Sequence, residues 1–519
     1  MSSSRIKHSL LAAGLLATAV AAHADSLTNA ALVAKVAPEL ERYVEALRQR
    51  EEIPGIAIVI ADRHRVLYTQ GFGLREAGKP EPVTPATVFQ IGSLTKSFLA
   101  TTVAMAVDDG KLAWDTPLAE RQPAFHLSDP WVTQHATPAD VLSHGLGLQP
   151  YLYDDMIFLG YGLPQRLKAL PHAPLTGRFR QSAQYVNLLH PVVGEIAARA
   201  TGNADWSEML ARRIFSPLQM GSSSATREGL LNAPDHASPH QHNEGKLQVI
   251  PLVGRYWYSE GVGPAGSINS TARDMGQWLR LQLGRGELDG QRIVSEANMD
   301  ETWRPRAMMS PTEGAAPGWG VRFSAQGRMV SHDGGTASYG ANAMLLPEAG
   351  EPGKGGIGIA VLTNHGQEGA PFAISRWFAE RVWGLPVVDH RAGFKRPPPE
   401  TPAANNTTLP PERLQAYAGA YDSPTLGPIT VRREATGDNK DGQLVMQLEQ
   451  IGARLRMLPL GGNAFSADIL PEGRFRELAA EGFTTFYRVE FTLDADGKAS
   501  GAQAVSPLAS RHELVRAAR

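Results

Sequence analysis

The 519-residue chain contains no cysteine. That absence excludes a thiol nucleophile, a disulfide framework, Cys-ligated zinc, iron–sulfur clusters and a lipid-modified N-terminal cysteine. An excess of either charge is also missing. Lys and Arg number 50 against 52 Asp and Glu, a formal net charge of −2. Such a balance carries no electrostatic footprint for nucleic acid or an anionic membrane. Beyond residue 24 no run approaches the roughly 18 apolar residues of a membrane-spanning helix. Hydrophobic residues nevertheless make up 42% of the chain, which is the composition of a folded protein of two to four domains. Its chemistry must come from Ser, Lys, Tyr, His and carboxylates.

The first 24 residues read as an export signal rather than as part of the fold. Arg5 and Lys7 precede an apolar run over 10–22, and Ala22-His23-Ala24 fits a small-x-small cleavage site. Asp25 is then the expected mature N-terminus and the expected location is periplasmic or secreted, with no membrane anchor left after cleavage. A chain without thiols suits an oxidising space, because nothing in it can mispair.

Residues 28–50 carry apolar positions Leu32, Val33, Val36, Leu40, Tyr43, Val44 and Leu47 at helical spacing, and Pro54-Gly55 ends the pattern. Strands are expected over 55–61 and 65–71, joined as a hairpin by Asp62-Arg63-His64. From 93 to about 325 the patterns are mostly helical, with a capping signature at Thr271-Ala272-Arg273-Asp274. Three short strands follow at 328–331, 340–346 and 357–363, then a helix with Phe372, Ile374, Trp377, Phe378 and Val382 on its apolar side. Two strands at the start and three at the end predict one sheet, closed by distant parts of the chain around an inserted helical subdomain, an α/β (α+β) fold. Six prolines between 397 and 411 mark a linker. Short alternating runs beyond it predict a separate, mostly β domain, sandwich or barrel. The expected divisions are 1–24, 25–388, a linker over 389–412, and 413–519.

One segment concentrates chemistry: Ser93-Leu94-Thr95-Lys96. At the start of a helix, residues three apart share a face. A serine hydroxyl is a poor nucleophile until a base takes its proton, and a desolvated neutral lysine is such a base. The pattern alone is weak, since Ser4 and Lys7 match it too. Tyr185-Val186-Asn187, the one Tyr-x-Asn in the chain, supplies a hydroxyl for proton relay and an amide to hold substrate; Ser267-Ile268-Asn269 competes for that place. His332-Asp333-Gly334-Gly335 follows a strand candidate. Its glycines let backbone approach a ligand closely, so the Gly335 N–H and the Ser93 N–H form a pair of donors for a tetrahedral oxyanion. Lys354-Gly355-Gly356 and Lys440-Asp441-Gly442 fit a similar pattern but read as turns.

In these residues, and in their order, the chain resembles the serine β-lactamase and penicillin-binding-protein superfamily, nearest its class C-like branch of esterases, D-aminopeptidases and D-alanyl-D-alanine carboxypeptidases. The resemblance extends to Leu142-Ser143-His144-Gly145-Leu146-Gly147-Leu148, to the glycine loop 263–267 with the helix behind it, and to 345–364, covering roughly 30–388. It implies a β-lactamase/transpeptidase-like fold, an antiparallel sheet flanked by helices with a helical subdomain, and a C-terminal β domain like the lipocalin-like barrels of some members. It also implies Ser93 as acylated nucleophile, Lys96 as its base, Tyr185 in proton transfer, Asn187 orienting substrate, and His332 with Gly334-Gly335 in place of the Lys-Thr-Gly strand of true β-lactamases. The departure matters chemically. A lysine there grips a carboxylate, whereas histidine is only partly charged near neutral pH. Weaker selection for a substrate carboxylate follows.

His236, His240 and His242 cluster near Asp235 and Glu244, but their spacing matches no standard zinc pattern and they read as a polar loop. Tyr151-Leu152-Tyr153 and Tyr256-Trp257-Tyr258 either line an apolar cleft or pack the helical subdomain. The expectation is an exported serine hydrolase, needing no metal or organic cofactor, that cleaves an ester, amide or D-peptide bond of a small-molecule or peptide substrate. The rivals are a β-lactamase or D-alanyl-D-alanine carboxypeptidase, and a penicillin-binding sensor without turnover. Oligomerisation through the C-terminal domain is left open.

Overall fold

A computed structural model describes residues 28–243, 245–251, 263–336, 338–366, 369–393, 409–436, 439–480 and 484–517. The expected export signal, most of the proline stretch and Tyr256-Trp257-Tyr258 lie outside them. The first helix, α1 (Asn29–Arg50), starts where the Thr28 hydroxyl accepts from the Ala31 N–H, and it buries Val33, Val36, Leu40, Val44 and Leu47. Next come β1 (Gly55–Ala61) and β2 (Val66–Gly73), paired antiparallel as expected. The helical region follows, containing α2 (Thr95–Asp108), α3 (Asp154–Phe158) and α4 (Ala272–Leu283). Thr271 caps α4 by accepting from the Asp274 N–H at 3.0 Å. The Asp274 carboxylate itself accepts from Ser222 N–H and the Ser223 hydroxyl.

The sheet is larger than five strands. Residues 307–324, expected within the helical middle, form β3 (Ala307–Ser310), β4 (Glu313–Ala316) and β5 (Trp319–Ser324). They continue into β6 (Gly327–Gly335), β7 (Gly340–Leu346) and β8 (Ile357–Thr363), followed by α5 (Gly369–Val382). The eight strands lie in the order β2-β1-β8-β7-β6-β5-β4-β3, all antiparallel. The chain thus closes its sheet by setting β1 against β8, with Ile58 opposite Val361.

Period-two alternation decides which layer each side chain joins. From β1, Ile56, Ile58 and Ile60 join α1 and α5 in one core. Ala57, Val59 and Ala61 point the other way, into the larger core with α2 and α4. Phe98 of α2 stacks there on Trp278 of α4, ring centroids 3.6 Å apart. Helices therefore cover both faces of the sheet.

After a short helix α6 (Pro411–Tyr417), eight strands run in chain order: β9 (Gly419–Ser423), β10 (Gly427–Thr436), β11 (Asn439–Leu448), β12 (Ala453–Gly461), β13 (Ala464–Ile469), β14 (Thr485–Leu493), β15 (Ala499–Val505) and β16 (Arg511–Arg516). They form a closed antiparallel barrel, β16 returning to β9. Closure removes free sheet edges. The inside is filled by rings, with Tyr417 and Phe465 each within 6 Å of Phe491. Lys440-Asp441-Gly442 lies within β11 rather than in a turn. No helix among the described residues is long and apolar enough to cross a membrane.

Candidate active site

Ser93 sits in a single 3₁₀ turn (Gly92–Leu94) immediately before α2, and Lys96 falls in the first turn of the helix itself. The spacing does what Ser-x-x-Lys promises: Lys96 Nζ lies 2.9 Å from Ser93 Oγ. The amine also donates to the Ala265 carbonyl at 2.8 Å. Lys96 is wholly buried. Desolvation pulls its pKa down to about 7, partly countered by the negative charge of Asp154. An amine with that pKa is neutral in a large fraction of molecules near pH 7 and can accept a proton.

Tyr185 reaches the same oxygen from another side. Its hydroxyl donates to Ser93 Oγ at 2.7 Å, and Lys96 Nζ lies 4.9 Å from its ring centre. The Tyr-x-Asn segment is irregular backbone leading into the helix His190–Ala200. It is held by hydrogen bonds from Val186 N–H to His144 Nδ1 and from Tyr151 N–H to the Tyr185 carbonyl. Burial raises the Tyr185 pKa, so the phenol stays protonated. Asn187 is half-buried and donates to Asp154 Oδ2 at 2.8 Å.

The glycines of β6 work by having no side chain. Gly92 has φ +50°, and a Cβ there would come within 2.7 Å of the Gly335 backbone; one on Gly334 would lie 2.0 Å from the Ile91 carbonyl oxygen. The end of β6 is therefore pressed against the turn that carries Ser93. His332 lies on the same strand end, its Nδ1 2.5 Å from the Asp333 carbonyl. Desolvation and the nearby Lys96 charge lower its pKa to about 4, so the ring is neutral near pH 7. Burial and Lys96 push His144 and His190 in the same direction.

Ser93, Tyr185, Asn187, His332, Gly334 and Gly335 all line one cleft of about 710 Å³, with Lys96 directly behind Ser93. The three segments singled out in the sequence are thus brought together. Ser267-Ile268-Asn269 is not part of this wall: Asn269 donates to Ser224 Oγ and the Thr226 carbonyl, away from Ser93. Only the preceding Ala265 and Gly266 reach the cleft. Tyr151 lines it too, whereas Tyr153 is buried and packs. The three histidines expected in a polar loop do not share one: His240 and His242 lie on a short strand paired with 246–249, and all three diverge, His236 to the Ala233 carbonyl, His240 to Ala77 N–H, and His242 to His365 and Glu52.

Sequence reasoning passed over Asp154. It is 3% exposed, lines the cleft, and its Oδ1 makes no hydrogen bond with the described residues. Burial raises its pKa to about 7, against the pull of Asn187 and Lys96. The signal was present: two adjacent aspartates, Asp154 and Asp155, inside the otherwise apolar stretch 151–159. Charged side chains in such a run are seldom fully buried unless they have partners.

A hydroxyl receiving hydrogen bonds from a desolvated amine and a phenol, at a helix start inside an apolar cleft, is the arrangement of a serine acyl-transfer site. The chain belongs to the Beta-lactamase family, whose description matches residues 40–381, and with it to the serine hydrolases of the β-lactamase fold. It is 26% identical over 343 residues to the unguisins hydrolase ungD' of Aspergillus campestris, a match covering 62% of this chain and 60% of that protein. It is 27% identical over 348 residues to penicillin-binding protein 4 of Amycolatopsis lactamdurans, covering 63% and 84%. Among solved structures, the octameric penicillin-binding-protein homologue of Pyrococcus abyssi superposes with a TM-score of 0.57 over 92% of this chain and all of that one, at 22% identity.

Proposed function

We propose that this protein is an exported serine hydrolase that works through an acyl-enzyme on Ser93. The observation that carries the reading is the convergence of Lys96 Nζ and the Tyr185 hydroxyl on Ser93 Oγ, at 2.9 and 2.7 Å. In the reaction, neutral Lys96 takes the serine proton as Oγ attacks a carbonyl carbon. The resulting oxyanion accepts from the N–H groups of Ser93 and Gly335. Collapse expels the leaving group, which receives a proton relayed from Lys96 through Tyr185. Because the phenol stays protonated, it passes protons along rather than storing charge. Water then attacks the ester carbonyl by the reverse route and releases the acid.

The cleft argues for a substrate without a free carboxylate at the β6 side. His332 is neutral there, and among the described residues no Lys or Arg lines the cleft apart from Lys96 behind Ser93. Carboxylates of Glu313 and Asp333 line it instead, Glu313 paired with Arg322 at 2.7 Å. Esters, amides and peptides fit this surface better than penicillins. The unguisins hydrolase among its relatives agrees with hydrolytic turnover, and the penicillin-binding relative keeps the β-lactam reading in the test.

The test is a panel of a p-nitrophenyl ester, D-Ala-p-nitroanilide and nitrocefin, run on protein whose N-terminus is sequenced after export. Mature protein starting at Asp25 is expected. Ester or anilide turnover, lost at least 10³-fold in Ser93→Ala as for removal of a nucleophile, is the expected result. Nitrocefin turnover alone would favour the β-lactamase reading, and fluorescent penicillin labelling without turnover the sensor. Equal rates for wild type and Ser93→Ala would sink the proposal.

A further inference from the structure

Leu508 belongs to the barrel, in the turn between β15 and β16, yet it lines the cleft that holds Ser93. Its side chain is 39% exposed, so it faces the cleft rather than the barrel interior. The turn is fastened to the catalytic region at several points. Gln149 Nε2 donates to the Leu508 carbonyl at 3.3 Å, and Tyr153 N–H donates to Ser510 Oγ at 2.9 Å. Deeper in the contact, Asp155 Oδ2 accepts from the Tyr487 hydroxyl at 2.8 Å and from His512 Nε2 at 2.9 Å. His512 Nδ1 meets the Thr425 hydroxyl at 2.8 Å, and the His512 ring stacks on Tyr153. Asp155 is 3% exposed and His512 fully buried.

These contacts bear on the site because of what lies next along the chain. Asp154 and Asp155 open α3 and face opposite ways: Asp154 accepts from Asn187 in the cleft, Asp155 accepts from the barrel. Just before them, Tyr151 and Tyr153 both hold left-handed backbone, φ +56° and +57°. Non-glycine residues there are strained and persist only where surroundings over-determine them. The Tyr151 N–H holds the Tyr185 carbonyl, and the Tyr153 N–H holds the barrel's Ser510. The same short segment thus touches the proposed proton relay at one end and the barrel at the other.

We propose that the C-terminal barrel is a working part of the active site. Its Leu508 turn forms the wall that limits the apolar group of the substrate. Its His512–Asp155–Tyr487 contact holds the segment that positions Tyr185 and Asn187. The apolar group lies against Leu508, Tyr151, Ile157, Phe158 and Met309, so the substrate class is an acyl compound with a hydrophobic chain or side chain on that side. This rests on the Ser93 reading.

The experiment measures kcat/KM for p-nitrophenyl acetate, butyrate and octanoate, and labelling rates with ethyl and octyl fluorophosphonates, for wild type, Ser93→Ala, Leu508→Ala and Leu508→Trp. The octyl-to-short ratio should fall at least tenfold in Leu508→Trp and shift toward longer chains in Leu508→Ala. A ratio within twofold of wild type in both variants overturns the wall. His512→Leu should lower kcat tenfold or more, with KM changed less, when assayed well below its melting temperature. His512→Gln, which keeps a donor toward Asp155, should recover most of that loss. If His512→Leu does not fold, Tyr487→Phe removes a single hydrogen bond and should cost three- to tenfold in kcat. Wild-type kcat in a folded His512→Leu or Tyr487→Phe overturns the positioning role. Rates that survive in Ser93→Ala, or a wild type inert to both reagent sets, defeat the Ser93 reading itself. A dead Ser93→Ala with unmoved Leu508 ratios defeats the wall alone.

Discussion

Lys96 and Asp154 are two buried groups of opposite charge that burial drives toward the same range, each to about 7. Desolvation penalises the charged form, so it lowers an amine and raises a carboxylate. In the proposed role the reactive form of Lys96 is the free amine, which is present above its pKa. The acylation rate kcat/KM should therefore rise as pH climbs through about 7 and then level off. Because the two groups interact, the apparent pKa belongs to the pair. The Asp154 charge favours protonated Lys96, so Asp154→Asn should shift the rise to lower pH. Lys96→Arg should show no rise at all and a loss of about 10²–10⁴-fold, the usual worth of general base catalysis, because a guanidinium stays protonated. Pre-steady-state acylation measured from pH 5 to 9 checks the wild type and both variants. A flat profile in the wild type would remove Lys96 from its proposed role. The Ser93–Lys96 pairing was legible because helix geometry brings residues three apart together. Asp154 was not, because its burial depends on how segments far apart in sequence pack around it.

At the scale of elements, the approach of β6 to the turn that carries Ser93 is the step that assembles the cleft. A Cβ on Gly334 would lie 2.0 Å from the Ile91 carbonyl oxygen, a backbone atom that has no rotamer to escape into. Gly334→Ala should push the strand end away from Ser93, lowering kcat/KM at least 100-fold and stability by about 1–3 kcal/mol, as for an overpacked site. Gly221→Ala, at a glycine with open space around it, is the control and should stay near wild type in both. Ester kinetics and thermal melts of the two variants decide it, and equal activities would mean that the close approach is unimportant. The His-Asp-Gly-Gly stretch was readable because glycine next to a strand signals close backbone contact. Strands β3 to β5 were not readable as strands. They are four to six residues long, rich in Ala, Gly and Met, and lack a clean apolar–polar alternation. Their partners make them strands, through pairs such as Val321 opposite Val330. The two-residue connections Pro311-Thr312 and Pro317-Gly318 were the turn signals available.

On the scale of the whole molecule, the proline stretch separates the barrel in sequence but the packing does not separate it in space. Barrel residues such as Tyr421 and Tyr487 belong to the same continuous hydrophobic core as Phe98, Tyr153 and Trp278. Composition could mark the boundary but not the docking, since none of the contacting segments, 149–161, 425–426, 487 and 508–512, are neighbours along the chain. The polar contacts reinforce that core. Tyr487 and His512 both donate to the buried Asp155 carboxylate, and a hydrogen bond to a charged group contributes about 1.5–3 kcal/mol. Burial alone would raise the Asp155 pKa; the His512 charge and its hydrogen bonds bring it below the usual value instead. If the barrel came away first, Asp155 would lose these partners and the apolar faces of Tyr153 and Tyr161 would meet water. The catalytic region would then be weakened at the moment of separation. Scanning calorimetry of the intact protein should accordingly show one cooperative transition, with ester hydrolysis lost over the same temperature range. Two resolved transitions, with activity surviving the first, would show that the barrel unfolds without disturbing Ser93 and its neighbours.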